Sequence, residues 1–135
     1  MTTVSTRSGR PPRLAILLAG WLLAMTFSPG LTVADGAELL MFEQKGCPFC
    51  ARFEREIAPG YPMSAAGALA PLRHVNIADS RTGDIAGLDP AVFVPTFVLV
   101  DGDREIGRLV GYPGSRYFYS EIQALIDQMP DTPKP

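Results

Sequence analysis

The only cysteines of the chain, Cys47 and Cys50, stand together in Gly46-Cys47-Pro48-Phe49-Cys50. Two thiols at that spacing can close and reopen a disulfide. Before them lies Glu38–Phe42, an apolar run that reads as a strand; after them Ala51–Ile57 reads as a helix. Strand, short turn and helix put the pair at a helix N-terminus. Unpaired backbone N–H groups and the positive end of the macrodipole favour an anion there. With Cys47 as the N-cap, Pro48 is the first helical residue, where a missing N–H costs nothing. Cys50, Phe53 and Ile57 then share one apolar face, and Arg52, Glu54, Arg55 and Glu56 take the others. A helix N-terminus and a neighbouring cysteine lower a thiol pKa from about 8.5 into the range of about 3.5–7.5. Cys47, at the exposed tip, is therefore the expected attacking thiolate, and Cys50, facing the core, the resolving thiol.

Other chemistry for the pair is less well served. A zinc site takes about four ligands, and the chain offers two cysteines and one histidine, His74. An inert structural disulfide would close so small a ring that it constrains little of the unfolded chain. A redox-active pair fits the spacing best, with no added cofactor and no metal.

The first third of the chain reads as an address. Arg7, Arg10 and Arg13 precede any acid, Leu14–Phe27 is an apolar run, and Ser28-Pro29-Gly30 and Thr32-Val33-Ala34 follow. This order is that of a secretory signal peptide over 1–34, with cleavage expected after Ala34. The run is short for a bilayer span of about 20 residues, although an uncleaved anchor is the alternative. Either way the cysteines lie outside the cytoplasm, which in a bacterium means the periplasm. Residues 35–135 hold all 14 acids and nine of the 12 bases, a net charge of −5. Bases and acids alternate without a basic block, which excludes the electrostatic footprint of a nucleic-acid binder.

One domain is expected over 35–130, with a disordered tail at 131–135. After the cysteine helix, Pro59-Gly60 and Pro62 stop regular structure, and Ser64 caps a short helix that ends before Pro71. Leu72–Ile77 reads as a second buried strand. His74 lies within it as a satisfied or half-exposed strand histidine, since no acid or nucleophile accompanies it locally. Residues 79–93 are loop-rich, with room for one short helix around 84–88. Val94–Val100 is β-branched and reads as a strand that tolerates Pro95 near its start. Asp101-Gly102 signals a hairpin turn, and Arg104–Val110 is the returning strand. From Ser115 to Met129, Phe118, Ile122, Leu125, Ile126 and Met129 repeat at helical spacing. The order is β-α-β-(α)-β-β-α, an α/β fold. Its first two strands should be parallel and its last two antiparallel, a mixed sheet with flanking helices.

Over nearly all of 38–129 the chain resembles the thioredoxin superfamily. Cys47-Pro48-Phe49-Cys50, Val94-Pro95-Thr96 and the hairpin with its terminal helix carry the likeness. The resemblance implies that Pro95 is cis and lies against the cysteines, and that Val94, with Pro48 and Phe49, faces the substrate. Glu54-Arg55-Glu56, Gly60-Tyr61-Pro62 and Ala70-Pro71-Leu72-Arg73 extend it to the small periplasmic SoxS-like thioredoxins of bacterial sulfur-oxidation systems. It implies a reductant that keeps a periplasmic thiol carrier active. Where thioredoxins keep a buried acid, six residues before the first cysteine, this chain has Met41. Glu43, on the same strand face, is the candidate replacement for proton transfer, and Lys45 a candidate for favouring the Cys47 thiolate.

The expected activity is thiol–disulfide exchange with protein thiols and disulfides of the periplasm, fed by an upstream membrane thiol donor. Direct membrane attachment is expected only if the leader stays uncleaved. A disulfide-forming oxidant shares the mechanism and differs in reduction potential, which spans about −270 to −120 mV in related folds. Periplasmic oxidants of this fold usually carry a large helical insertion, for which 78–93 leaves no room. A binding or chaperone domain on the same fold would not need both cysteines.

Overall fold

In the computed structural model, which describes residues 36–130, the apolar run before the cysteines becomes strand β1 (Ala37–Glu43). Helix α1 (Pro48–Glu56) follows, then a 3-10 turn (Tyr61–Met63), helix α2 (Ala65–Leu69) and strand β2 (Leu72–Asn76). Strands β3 (Thr96–Asp101) and β4 (Arg104–Val110) form the hairpin, and α3 (Ser115–Ile126) ends the fold. The signal peptide expected over 1–34 and the tail expected over 131–135 lie outside the described residues. No described helix is long and apolar enough to cross a membrane.

The four strands lie in the order β2-β1-β3-β4, with β1 and β2 parallel and the other pairs antiparallel. The two central strands have a neighbour on each side and a covered layer on each face. Hence Leu39–Phe42 and Thr96–Val100 are buried without interruption. Alternation then divides them between two cores. Leu39, Met41, Phe97 and Leu99 meet Cys50, Phe53 and Ile57 of the α1 segment and Phe118, Ile122 and Ile126 of α3. Leu40, Phe42, Val98 and Val100 meet Val75, Ile85, Leu88 and Ala91 on the other side. The Phe118 ring is the hub of the first core, 5.1 Å from both Phe53 and Phe97 and 6.0 Å from Tyr112. Burying each such ring stabilises the fold by about 1.5–3 kcal/mol.

Four expectations from the sequence need correction. β2 is an edge strand, not a buried one: paired only with β1, it buries Val75 and leaves His74 exposed. No helix forms around 84–88. Gly83, Asp84 and Gly87 all have positive φ, which a right-handed helix cannot accommodate. Ile85 and Leu88 instead plug the second core as isolated anchors. The hairpin turns at Gly102-Asp103, one residue later than expected, because Asp101 pairs with Arg104. α3 ends at Ile126, although Leu125 and Met129 still pack against the first core.

Candidate active site

The cysteine pair is placed by the end of β1 and the start of α1. Gly46, at φ +84°, makes the left-handed step that turns the chain out of the strand. Cys47 is the N-cap in extended geometry, with Pro48 in the first turn of α1. The Cys50 backbone N–H donates to Cys47 Sγ at 3.1 Å, and the Ala51 N–H to the Cys47 carbonyl, also at 3.1 Å. The two sulfurs are bonded, with their Cα atoms 5.3 Å apart. Cys50 is 3 % exposed among core residues that include Met41, Phe53 and Phe97, whereas Cys47 is half-buried. After reduction, the charge of a Cys47 thiolate would meet the Cys50 N–H and the helix dipole, with no acid in the first turn to oppose it.

Residues 93–96 lead into β3. The Val94–Pro95 bond is cis. The Pro95 carbonyl accepts from the Gly111 N–H at 2.8 Å, and Thr96 Oγ1 donates to the Phe93 carbonyl at 2.8 Å. Val94 and Cys47 both pack against the core cluster that contains Cys50. Three large apolar side chains stay in solvent: Phe49, between the cysteines, at 56 %, and Val92 at 63 % and Phe93 at 67 % exposure, just before the cis bond. Val92 and Phe93 were not singled out from sequence. Their signal was available, as an apolar run that begins four residues before β3 and lies outside the strand.

Helix α1 is also fastened at its far end. Glu56 accepts from Arg52 Nε at 2.8 Å and from the Tyr112 hydroxyl at 2.7 Å. The Arg52 hydrogen bond, then that of Tyr112, holds the Glu56 carboxyl below its ordinary range, with help from the Ser115 backbone N–H. Burial first, and the bond to Glu56 second, push the Tyr112 phenol up to about 12. Because Ser115 opens α3, this carboxylate joins the end of α1 to the start of the terminal helix. Tyr61, whose segment the sequence marked only as a break, is fully buried. It donates to the Ala70 carbonyl at 2.9 Å, and burial raises its phenol above the usual tyrosine range.

Met41 is fully buried in the first core, so the place of the superfamily's acid is apolar. Glu43 is half-exposed at the end of β1, with Oε1 3.3 Å from His74 Nδ1. Lys45 is exposed and shares an open cleft with Glu43, Gln44 and Asn76. Acids absent from the sequence vicinity of His74 thus arrive in space: Glu54 Oε1 also lies 3.5 Å from its Nδ1.

A cysteine pair joined across the first turn of a helix, on a mixed sheet of this topology, defines a thioredoxin-fold thiol–disulfide oxidoreductase. Its redox group is part of the chain, and proteins of this fold use no cofactor. No family model matches the chain, and no curated protein does. Solved structures do match. The chain is similar to the periplasmic thioredoxin SoxS of Paracoccus pantotrophus in its reduced form, with 44 % identity and a TM-score of 0.61. That match covers 68 % of this chain and 97 % of the other. A thioredoxin-fold protein of Helicobacter pylori matches at 24 % identity and a TM-score of 0.52, over 69 % of this chain and 70 % of its own. Malassezia sympodialis thioredoxin matches at 18 % and 0.53, over 67 % and 78 %, and like the Helicobacter protein shows the fold alone. The chain belongs to the thioredoxin superfamily and, within it, to the SoxS-like thioredoxins.

Proposed function

We propose that this protein is a periplasmic reductant of protein disulfides or thiol adducts, with the thiol carrier of a sulfur-oxidation system as its substrate. Cys47 is the nucleophile and Cys50 the resolving thiol. The observation that carries the assignment is the asymmetry of the pair. Cys47 Sγ accepts a backbone N–H at the helix N-terminus, while Cys50 is enclosed by the core. In the reduced protein the Cys47 thiolate attacks one sulfur of the substrate disulfide, forms a mixed disulfide and expels the first substrate thiolate. Cys50, losing its proton, attacks Cys47 Sγ. The Cys47–Cys50 bond forms, the second substrate thiolate leaves, and two electrons have passed to the substrate. A membrane thiol donor restores the dithiol.

Pro48, Phe49, Val94 and Pro95 form the substrate-facing surface in this reading, supported by the exposure of Phe49 and by the packing of Val94 and Cys47 against the same core cluster. Glu43 accepts the proton of Cys50 in place of an acid at Met41, and Lys45 favours the Cys47 thiolate. The reducing direction is supported by residues 78–93, which hold a short loop rather than a helical insertion. Residues 1–34 are the signal peptide, so N-terminal sequencing of the exported protein should begin at Asp35.

Cys50→Ser tests the central assignment. It should accumulate a mixed disulfide separable on a non-reducing gel, with the thiol carrier as the captured protein, whereas Cys47→Ser should capture nothing. Capture by Cys47→Ser alone would reverse attacker and resolver. A reduction potential near about −120 mV rather than about −270 mV would reverse the direction of electron flow.

A further inference from the structure

Three metal-ligating side chains converge on the α1 side of the sheet, at its β2 edge. Glu43 comes from the end of β1, His74 from β2 and Glu54 from α1, and their ligand atoms all lie within 4.8 Å of one another. His74 pairs with Met41 in the parallel register, which puts its ring on the same sheet face as Glu43 and beneath Glu54. Two carboxylates so close repel unless a cation lies between them. Among the described residues neither carboxylate has a lysine or arginine partner; the neighbouring Arg73 is engaged by Glu38 and the Gly83 carbonyl.

Both carboxylates stand at ion-pair distance from His74 Nδ1. Glu54 Oε1 is a buried atom without a hydrogen-bond partner, although His74 Nδ1 is 3.5 Å away. Glu43 Oε1 approaches the same nitrogen at 3.3 Å. The two separations from Nδ1 come close to those of another arrangement, and all three ligand atoms lie within 4.8 Å of one another. Tetrahedral Zn²⁺ bonds of about 2.0–2.1 Å to nitrogen and oxygen place neighbouring ligand atoms about 3.3–3.4 Å apart. We propose that Glu43, Glu54 and His74 form a binding site for a borderline divalent cation such as Zn²⁺. One imidazole nitrogen and two carboxylate oxygens fill three positions, and the fourth is left to water. The mixed nitrogen and oxygen donor set suits zinc better than magnesium or calcium, which prefer oxygen alone. The site uses neither sulfur, although it shares Glu43 with the proposed proton path: a count of cysteines and histidines overlooks it because two of its ligands are glutamates.

Zinc chloride should be titrated into the oxidised protein, in which the disulfide denies the metal both thiolates. His74 is the only histidine, so its imidazole NMR signals are unambiguous. One equivalent of Zn²⁺ should shift them saturably, and calorimetry should give a stoichiometry of one. His74→Asn and Glu54→Gln should each weaken binding at least tenfold while retaining the wild-type far-ultraviolet spectrum. Two separate substitutions keep the test decisive if one of them unfolds. Imidazole signals that do not respond to zinc overturn the site, as does wild-type affinity in either folded variant.

Discussion

Gly67 of α2 gives the sharpest test of the packing that supports the site. A Cβ built there falls 1.9 Å from the Tyr61 carbonyl oxygen and 2.8 Å from its carbon, both backbone atoms. Carbon and oxygen sit at about 3.3–3.6 Å even in a weak C–H hydrogen bond, so the turn must open by more than an ångström. Tyr61 is poorly placed to yield. Its carbonyl accepts from Ser64 Oγ at 2.7 Å and from the Ser64 N–H at 3.0 Å, and its hydroxyl is held by Ala70. Ser64 Oγ in turn caps Gly67 at 3.0 Å. In Gly67→Ala the helix gains about 1 kcal/mol of propensity. Overpacking costs about 1–3 kcal/mol, and each hydrogen bond lost costs about 0.5–1.5 kcal/mol more. The net expectation is a loss of about 2–3 kcal/mol, read as a lower urea midpoint at unchanged slope. Gly60→Ala is the control, since its nearest neighbour would be the Ile57 carbonyl oxygen at 3.9 Å. It should stay within about 0.5 kcal/mol of wild type. A Gly67→Ala protein as stable as the control would refute the reasoning.

Phe118→Ala removes the hub of the aromatic core and should cost about 3–5 kcal/mol in urea unfolding of the oxidised protein; a loss under 1 kcal/mol would deny the ring that role. Met41→Asp places a carboxylate in an apolar core and should cost about 3–5 kcal/mol by the same measurement, while Met41→Leu should cost under about 1.5 kcal/mol. Tyr112→Phe should raise the Glu56 titration midpoint in a carboxyl NMR titration, because it removes one of the two side-chain hydrogen bonds that lower it. A carboxyl lowered on folding stabilises the fold above its ordinary value of 4.5, and that contribution is lost as pH falls through the folded value. The variant should therefore lose less stability than wild type across that acid window; an unmoved midpoint would show that the Tyr112 hydroxyl plays no part in setting it.

Much of the architecture was legible because local and global signals agree in it. Cys47, Pro48 and the Cys50–Phe53–Ile57 face state the start and orientation of α1 within eleven residues, and the spacing of Phe118, Ile122 and Ile126 does the same for α3. What escaped depends on pairing between distant segments. β2 looks buried by composition, and only its place at the end of the strand order exposes His74. Glu43, Glu54 and His74 come from three elements and meet only through the parallel register of β1 and β2 and the seating of α1. Residues 84–88 leave room for a short helix in the sequence, but positive φ at Gly83, Asp84 and Gly87 decides against it. Tyr61 was hidden by its prolines and glycine, which mark a turn without saying that its side chain points inward.

The helix-free cover over the second core has a consequence for how the molecule fails. Residues 78–93 hold that face closed with three apolar anchors, Ile85, Leu88 and Ala91, and a few bonds from arginines: Arg73 to Gly83, Arg81 to Ala91 and Arg108 to Asp89. Such a seal lacks the cooperative ladder of a helix, so it should open well before the sheet melts. Opening uncovers Leu40, Phe42, Val98 and Val100, a flat apolar stripe across the two central strands. Limited proteolysis should nick this loop first. The nicked protein, with its disulfide still intact, should then be lost to aggregation rather than to oxidation.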